Sequence, residues 1–182
     1  MYGLINMAIK QLIKDQLGED GWQTVKMEAQ LEDDSFELLT PYDDGLTYKL
    51  IEGASKASGK PAHEILHLFG TYWIQYAVSA GYGPLIQLFG PTYKECLSNL
   101  NKMHDHMGAM MPGLVPPVFD IEKEISPTEF ILNYTSTRSG LAPMVLGLLK
   151  TLAQRYGISE IETTHLGKTE NNLSDRFLIK WQ

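Results

Sequence analysis

The chain has 182 residues, of which 43% are hydrophobic, and this size and composition favour a single globular domain with a sizeable core. Its formal net charge is −7, and the 15 Lys and Arg residues are scattered along the sequence. Nucleic acid and acidic membrane surfaces are therefore poor candidates for a partner, because both are bound by clustered basic residues.

Three features bear on the compartment of the protein. Cys96 is the single cysteine, so an internal disulfide is excluded. The first residues, MYGLINMAIK, lack the basic leader and cleavage site of a secretory signal. The longest apolar run, LAPMVLGLL at 141–149, is far shorter than a membrane span. Together they predict a cytoplasmic protein without a membrane span.

Apolar residues recur at helical spacing through most of the first half of the chain, and they change to strand alternation in the second half. Helices are predicted over 4–17, 20–31, 61–78 and 92–111, the first of them ending at Gly18. After PGLVPP at 112–117, the pattern predicts strands over 118–125 and 128–138, a helix over 140–157, and strands over 158–166 and 176–181.

Strand runs around a single helix predict an antiparallel sheet with that helix on one face, which is an α+β fold. The proline-rich break divides the chain into a helical lobe, about residues 1–112, and a sheet-containing lobe, about residues 113–182. Each lobe is too small to be an independent domain, so residues 1–182 are expected to form one domain.

The segment HEILH matches the H-E-x-x-H pattern, in which two histidines one helical turn apart bind zinc and the glutamate activates water. A zinc-dependent hydrolase that uses His63, Glu64 and His67 is therefore an alternative function. The apolar positions of the same helix, however, define a buried face that lies away from both histidines. The preferred interpretation is that these residues are exposed on the helix surface.

A second pair of histidines, His104 and His106, lies two residues apart in the predicted helix 92–111, so the two side chains point in roughly opposite directions. The apolar stripe of this helix passes close to His104, which predicts a buried His104 and a solvated His106. A buried histidine here is either a hydrogen-bonded core residue or a metal ligand. A copper site is a further alternative, with thioethers from Met103, Met107, Met110 and Met111.

The stretch YTSTRSGLAP begins at the end of a predicted strand, where alternation places Tyr134, Ser136 and Arg138 on one face, after Phe130 and Leu132. The guanidinium fork of Arg138 suits a carboxylate or phosphate, and the two hydroxyls can serve its remaining lone pairs. The alternative is an ordinary solvated strand face. A buried histidine together with these donors is what a haem with two propionates requires. Because there is no C-x-x-C-H motif, the haem would be a non-covalent haem b.

These residues belong to a wider pattern that resembles the H-NOX family of haem nitric oxide/oxygen binding domains, which includes the haem domain of soluble guanylate cyclase. The resemblance rests on MYGLIN, LFGTYW, the histidine in NLNKMHDHM, PGLVPPVF and the Y-x-S-x-R signature, and it covers essentially the whole chain. It implies a haem between a helical lobe and a sheet lobe. It also implies His104 as the proximal iron ligand, propionate contacts from Tyr134, Ser136 and Arg138, and a Pro117 that presses on the haem.

The choice of gas is expected to depend on the polarity of the pocket, because bound oxygen is stabilised by a hydrogen-bond donor and nitric oxide does not need one. Oxygen-binding H-NOX members place a tyrosine on the helix after the signature, where this chain has Met144. By the same resemblance, the pocket is completed by Ile5, Ile9, Trp73, Ala77 and Leu148. The prediction is a sensor of nitric oxide and carbon monoxide that excludes oxygen.

The resemblance also implies how ligand binding becomes a signal. Nitric oxide would weaken the bond between iron and His104, so that the helix carrying this residue is released and the two lobes shift. The sensor accounts for all 182 residues, so the chain is expected not to be an enzyme itself. The implied effector is a separate protein, either a histidine kinase or a cyclic-dinucleotide enzyme.

Overall fold

The computed structural model describes residues 1–82, 89–111 and 113–182, apart from the side chains of Tyr82, Ala109 and Met110. The helical part contains α1 (Gly3–Glu28), α2 (Asp44–Ser58), α3 (Ala62–Ala77), a π-helical turn (Val78–Tyr82) and α4 (Tyr93–Met110). The second part contains β1 (Val118–Ser126), β2 (Glu129–Thr135), α5 (Ala142–Arg155), β3 (Ile161–Lys168) and β4 (Ser174–Trp181). Of the helices described, none has the length and apolar character needed to cross a membrane.

The four strands form an antiparallel sheet in the order β1-β2-β4-β3, so β1 and β3 are the edge strands. Alternate residues of β2, namely Phe130, Leu132 and Tyr134, are buried under the helices, as the alternating pattern predicts. Helix α5 connects β2 to β3 and buries Val145 and Leu149 in the same core. The α+β class is therefore confirmed.

One feature of the helical part confirms the sequence prediction and another differs from it. Gly18 has a non-helical backbone, with φ of 71° and ψ of −172°, so α1 consists of two helical segments joined by a kink where the sequence predicts a break. Helix α2 was not predicted, because its apolar positions are few and interrupted by polar residues. It begins where the Asp43 side chain accepts a hydrogen bond from the backbone N–H of Gly45 at 2.8 Å.

Helices α3 and α5 cross with their backbones in direct contact. A Cβ atom built on Gly70 would lie 1.9 Å from the carbonyl oxygen of Met144, and one built on Gly147 would lie 2.2 Å from that of His67. Only glycine can occupy two such positions, because any side chain would overlap the facing backbone. The close crossing brings Trp73 of α3 next to the residues of α5 that face the interior of the molecule.

A charged cluster holds the loop after α1 against that helix. Asp34 lies 2.9 Å from Lys10 Nζ and accepts a 2.6 Å hydrogen bond from Trp22 Nε1. The contact with Lys10, followed by the hydrogen bond from Trp22, holds the pKa of the Asp34 carboxyl well below its usual range. A carboxyl with a lowered pKa stabilises the folded state above its unfolded pKa of about 3.9, and this contribution is lost as the pH falls through the folded-state pKa.

We therefore expect Asp34→Asn to lower the free energy of unfolding at pH 7 by about 1 to 2 kcal/mol, because charge-assisted hydrogen bonds are lost. The difference from the unsubstituted protein should shrink as the pH falls from about 5 to about 2, because below about pH 4 the unfolded chain binds a proton at Asp34 that the folded protein does not. Urea unfolding across this range measures it, with Glu32→Gln, an exposed residue of the same loop, as the control. A difference in the free energy of unfolding that does not change with pH would contradict the assignment of this stabilisation to the Asp34 carboxylate.

Candidate functional site

A cavity of about 220 Å³ lies between the helical part and the sheet, and we call it the main cavity. A second cavity of about 110 Å³ adjoins it, and we call it the deep cavity. The two share a wall formed by Leu4, Trp73, Met103, His104, Met107, Phe119 and Leu148. On this shared wall the other residues are apolar or aromatic, and His104 supplies its one imidazole.

Helix α4 places His104 on this shared wall. The Nδ1 atom of His104 lies 3.2 Å from the carbonyl oxygen of Pro117. A carbonyl can only accept, so Nδ1 carries the proton and Nε2 presents a lone pair suited to a metal. Burial lowers the pKa of His104, opposed by the hydrogen bond to Pro117, which favours the neutral imidazole. His104 is half-buried, less than the apolar stripe predicts, and His106 is exposed, as predicted.

Tyr134, Ser136 and Arg138 all line the main cavity, together with Pro117. The sequence prediction placed these three residues on one strand, and that was wrong, because β2 ends at Thr135. The chain turns there instead: Ser136 Oγ accepts a hydrogen bond from the backbone N–H of Arg138 at 3.1 Å. Burial raises the pKa of Tyr134, which keeps its phenol protonated and able to donate.

Asp44, at the start of α2, orients the Arg138 guanidinium and was not found from the sequence. Arg138 Nε lies 2.9 Å from Asp44 Oδ2, and Arg138 Nη1 donates to the carbonyl oxygen of Val115 at 3.0 Å. Burial opposes the charge of Asp44, but contacts with the Met1 ammonium group and with Arg138 hold its pKa below the usual range. The guanidinium is therefore held at the cavity wall by two elements that are distant in the sequence.

The rest of the main cavity is mostly apolar, and the other polar side chains of its lining are those of Tyr2, Thr47 and Tyr48. Its wall includes five of the six residues expected in the pocket, namely Ile5, Ile9, Trp73, Met144 and Leu148. Ala77, expected in the same pocket, lines the deep cavity only. The Trp73 ring lies 6.3 Å from the Tyr76 ring in a stacked arrangement. The Tyr72 hydroxyl donates to Asp15 at 3.0 Å, so this phenol is engaged on α1.

The family described as haem–NO-binding matches residues 2–165 of the chain. This chain is an H-NOX domain. The family consists of haem-based gas-sensor domains, and H-NOX domains bind haem. The apolar cavity, the imidazole with an available Nε2 and the nearby set of a guanidinium and two hydroxyls fit that cofactor, because haem joins an apolar macrocycle to iron and two carboxylates.

The relatives of this H-NOX domain include longer proteins. It is 30% identical over 161 residues to soluble guanylate cyclase gcy-31 of Caenorhabditis elegans, which covers 88% of this chain and 23% of that protein. Soluble guanylate cyclase gcy-35 of the same organism is 28% identical over 165 residues, with 88% and 24% covered. The chain therefore spans about a quarter of the length of these curated relatives.

The fold is also that of solved H-NOX structures. The unliganded Fe(II) H-NOX protein from K. algicida has a TM-score of 0.84 at 18% identity, covering 100% of this chain and 97% of that one. The Fe(II)NO form of an H-NOX protein from S. oneidensis has a TM-score of 0.85 at 16% identity, covering 100% and 99%. At this level of identity, the similarity establishes the fold.

The zinc alternative finds little support in the H-NOX fold. His63 and Glu64 are exposed, and Glu64 lies 3.8 Å from Lys60 in a surface ion pair. Among the described residues, no group of three or more His, Cys, Asp or Glu side chains is arranged to hold a metal ion. Of the four candidate thioethers, Met103, Met107 and Met111 line the main cavity, and the Met110 side chain lies outside the described residues.

Proposed function

We propose that residues 1–182 form one sensor domain that holds non-covalent haem b in the main cavity and binds nitric oxide or carbon monoxide at ferrous iron, with oxygen excluded. The observation that carries this proposal is the position of His104. It lies on an apolar wall with Nδ1 engaged by Pro117, in a cavity whose lining also includes Arg138. A single neutral imidazole so placed suits an axial iron ligand.

The residues that would hold haem follow from these contacts. His104 would bind the iron through Nε2, because Nδ1 donates to the Pro117 carbonyl oxygen. Tyr134, Ser136 and Arg138 would bind the propionates, since all three bear donors on the cavity wall. Pro117, whose own carbonyl oxygen accepts the hydrogen bond from His104, lies on the same wall and would contact the macrocycle.

The preference for nitric oxide rests on the apolar residues of the main cavity. Haem supplies an iron atom that binds diatomic gases, and the protein selects among them through the groups that surround the gas. Ile5, Met144 and Leu148 offer no hydrogen-bond donor, and they would leave polarised oxygen unstabilised. Nitric oxide and carbon monoxide are less polarised and would lose little in such a pocket.

The output would be a change in the position of helix α4. Release of His104 from iron would remove the constraint that holds this helix against the haem, so the ligand would favour one of two arrangements of the two parts of the fold. The proposed effector is a separate protein, either a histidine kinase or a cyclic-dinucleotide enzyme. In this proposal the domain signals and performs no catalysis of its own.

An absorption spectrum of the reduced protein under argon, then with nitric oxide, then in air, tests the proposal. We expect a Soret band of five-coordinate, histidine-ligated haem that shifts with nitric oxide and is unchanged in form by brief exposure to air. A stable oxy complex in air would contradict the selectivity. The absence of a Soret band after expression with haem supplied would contradict haem binding itself.

Met144→Tyr tests the selectivity from the opposite direction. A phenol at this position of the cavity wall would provide the missing donor, and a hydrogen bond to a charged acceptor is worth about 1.5 to 3 kcal/mol. The affinity for oxygen should therefore rise about 10- to 100-fold over that of the unsubstituted protein. Met144→Phe supplies the ring without the hydroxyl, and oxygen titration of the reduced protein should find its affinity as low as that of the unsubstituted protein. Equal behaviour of the two variants would refute the role assigned to polarity.

A further inference from the structure

Asn101 lies on α4 one helical turn before His104, and its side chain binds both backbone groups of a single residue of β1. Asn101 Nδ2 donates to the carbonyl oxygen of Phe119 at 2.9 Å, and Asn101 Oδ1 accepts from the N–H of Phe119 at 2.8 Å. A second, longer contact joins Nδ2 to Asp120 Oδ1 at 3.4 Å. Both short bonds have good lengths for amide hydrogen bonds.

The position of Phe119 in the sheet explains why these two groups need a partner. Phe119 pairs with Tyr134 of β2, but its own N–H and carbonyl point to the opposite side, where β1 is the edge of the sheet. Such outward groups on an edge strand have no neighbouring strand to bind them. The primary amide of Asn101 reproduces the pairing of a strand and fixes α4 against this edge.

The same short segment of chain contacts α4 a second time through His104. His104 Nδ1 lies 3.2 Å from the carbonyl oxygen of Pro117, two residues before Phe119. The Phe119 ring lies 6.1 Å from the His104 ring and 5.2 Å from the Tyr134 ring. The imidazole is thus oriented by a carbonyl and an aromatic ring whose own positions depend on the pairing with Asn101.

We infer that Asn101 is a positioning residue for His104: its amide holds α4 on the edge of β1 so that the imidazole keeps one orientation toward iron. This inference rests on the proposed function, because it concerns the ligand role of His104. It adds that release of His104 is resisted by a link that does not involve the haem. The position of α4 is then set jointly by the bond to iron and by the pairing of Asn101 with Phe119.

The variants Asn101→Ala and Asn101→Asp test this inference, with Asn99→Ala as the matched control. Asn99 is a second asparagine of α4, and its Nδ2 donates to the carbonyl oxygen of Phe89 at 2.9 Å, so its removal also costs one helix-to-backbone hydrogen bond away from β1. The aspartate keeps the acceptor for the Phe119 N–H but loses the donor. Its second oxygen would face the Phe119 carbonyl oxygen and the Asp120 carboxylate, so it should disrupt the pairing at least as much as alanine does, and it provides a second variant if alanine prevents folding.

The first readout uses the haem-free protein and measures hydrogen exchange of the Phe119 amide by NMR. Asn101→Ala should speed this exchange by about tenfold or more, the equivalent of losing one hydrogen bond, and Asn99→Ala should not. Unchanged exchange in Asn101→Ala would overturn the inference, because the pairing would then be absent in solution. This readout does not depend on haem binding.

The second readout is the iron–histidine stretching band in the resonance Raman spectrum of the reduced, haem-loaded protein. Asn101→Ala should shift this band to lower frequency and broaden it, because the imidazole is no longer held in one orientation, and Asn101→Asp should do the same. If Asn101→Ala speeds hydrogen exchange of the Phe119 amide but leaves the iron–histidine band unmoved, the inference is overturned. Asn101 would then only bind the backbone groups at the edge of the sheet. The absence of the band from the unsubstituted protein would instead overturn the proposed function.

Discussion

Substitution of His104 by leucine is expected to abolish the spectrum of histidine-ligated haem and to lower haem affinity by at least about a hundredfold. The loss follows because His104 supplies the one imidazole among the described residues that line the main cavity, and without it only the apolar walls and the donors for the propionates remain to bind haem. Even substitutions beyond the direct ligands of a metal typically cost 10- to 100-fold in affinity, so removal of the ligand itself should cost at least as much. Titration of the haem-free protein with haem, followed by absorption, measures this effect.

His106→Leu is the matched control, because His106 lies on the same helix and is exposed. Its haem spectrum and affinity should equal those of the unsubstituted protein. In His104→Gly, added imidazole should restore the five-coordinate spectrum, since free imidazole can enter the space left by the side chain. Normal haem binding by His104→Leu, or loss of binding by His106→Leu, would show that the axial ligand has been assigned to the wrong residue.

The choice between these two histidines could be made from the sequence because it depends on helical periodicity alone. A helix with one apolar stripe fixes which of two residues two positions apart faces the core. The same reasoning predicted α3, α4 and α5 to within a few residues of their observed ends. It failed for α2, where Leu50 and Ile51 are buried but most of the surrounding positions are polar or small. That helix is stabilised by packing on α1, which periodicity within a segment does not report.

The hydroxyl and guanidinium groups that line the main cavity were correctly predicted to lie together, but the predicted cause, strand alternation, is only partly correct. Alternation along a strand predicted that Tyr134, Ser136 and Arg138 share one side, but only Tyr134 lies in β2. Ser136 and Arg138 reach the same cavity through a turn. The turn is stabilised by the hydrogen bond that the Ser136 hydroxyl accepts from the backbone N–H of Arg138, two residues further along the chain. Turns of this kind have weak sequence signals, so the end of the strand could not be predicted with the same accuracy as its buried face.

Contacts between residues that are far apart in the sequence were beyond prediction. Asp44 meets Arg138, and Asn101 meets Phe119, only because the helical part folds back on the sheet. Neither Asp44 nor Asn101 differs in sequence context from an ordinary polar residue near a helix start or on a helix surface. Their roles follow from geometry: one orients the guanidinium at the cavity wall, and the other pairs with the edge of β1.

The close crossing of α3 and α5 leads to the second prediction with a large effect. We expect Gly147→Ala to lower the free energy of unfolding by about 3 kcal/mol or more, because overpacking a tight contact costs about 1 to 3 kcal/mol and backbone atoms yield little. The added methyl would lie 2.2 Å from the His67 carbonyl oxygen, 2.9 Å from the backbone nitrogen of Thr71 and 3.0 Å from its hydroxyl. All three atoms belong to α3, so the two helices must separate.

Gly108→Ala is the matched control, because Gly108 is also helical and a Cβ atom there would meet no described atom from outside its own helix within 4 Å. Alanine in that position should stabilise the protein by up to about 1 kcal/mol through its higher helix propensity. Urea unfolding of the haem-free variants measures both values. Separation of α3 from α5 would also move Trp73 away from Leu148 and widen the main cavity, so Gly147→Ala should accelerate carbon monoxide binding to the reduced protein. Equal stability of the two variants would mean that the crossing is looser than these distances require.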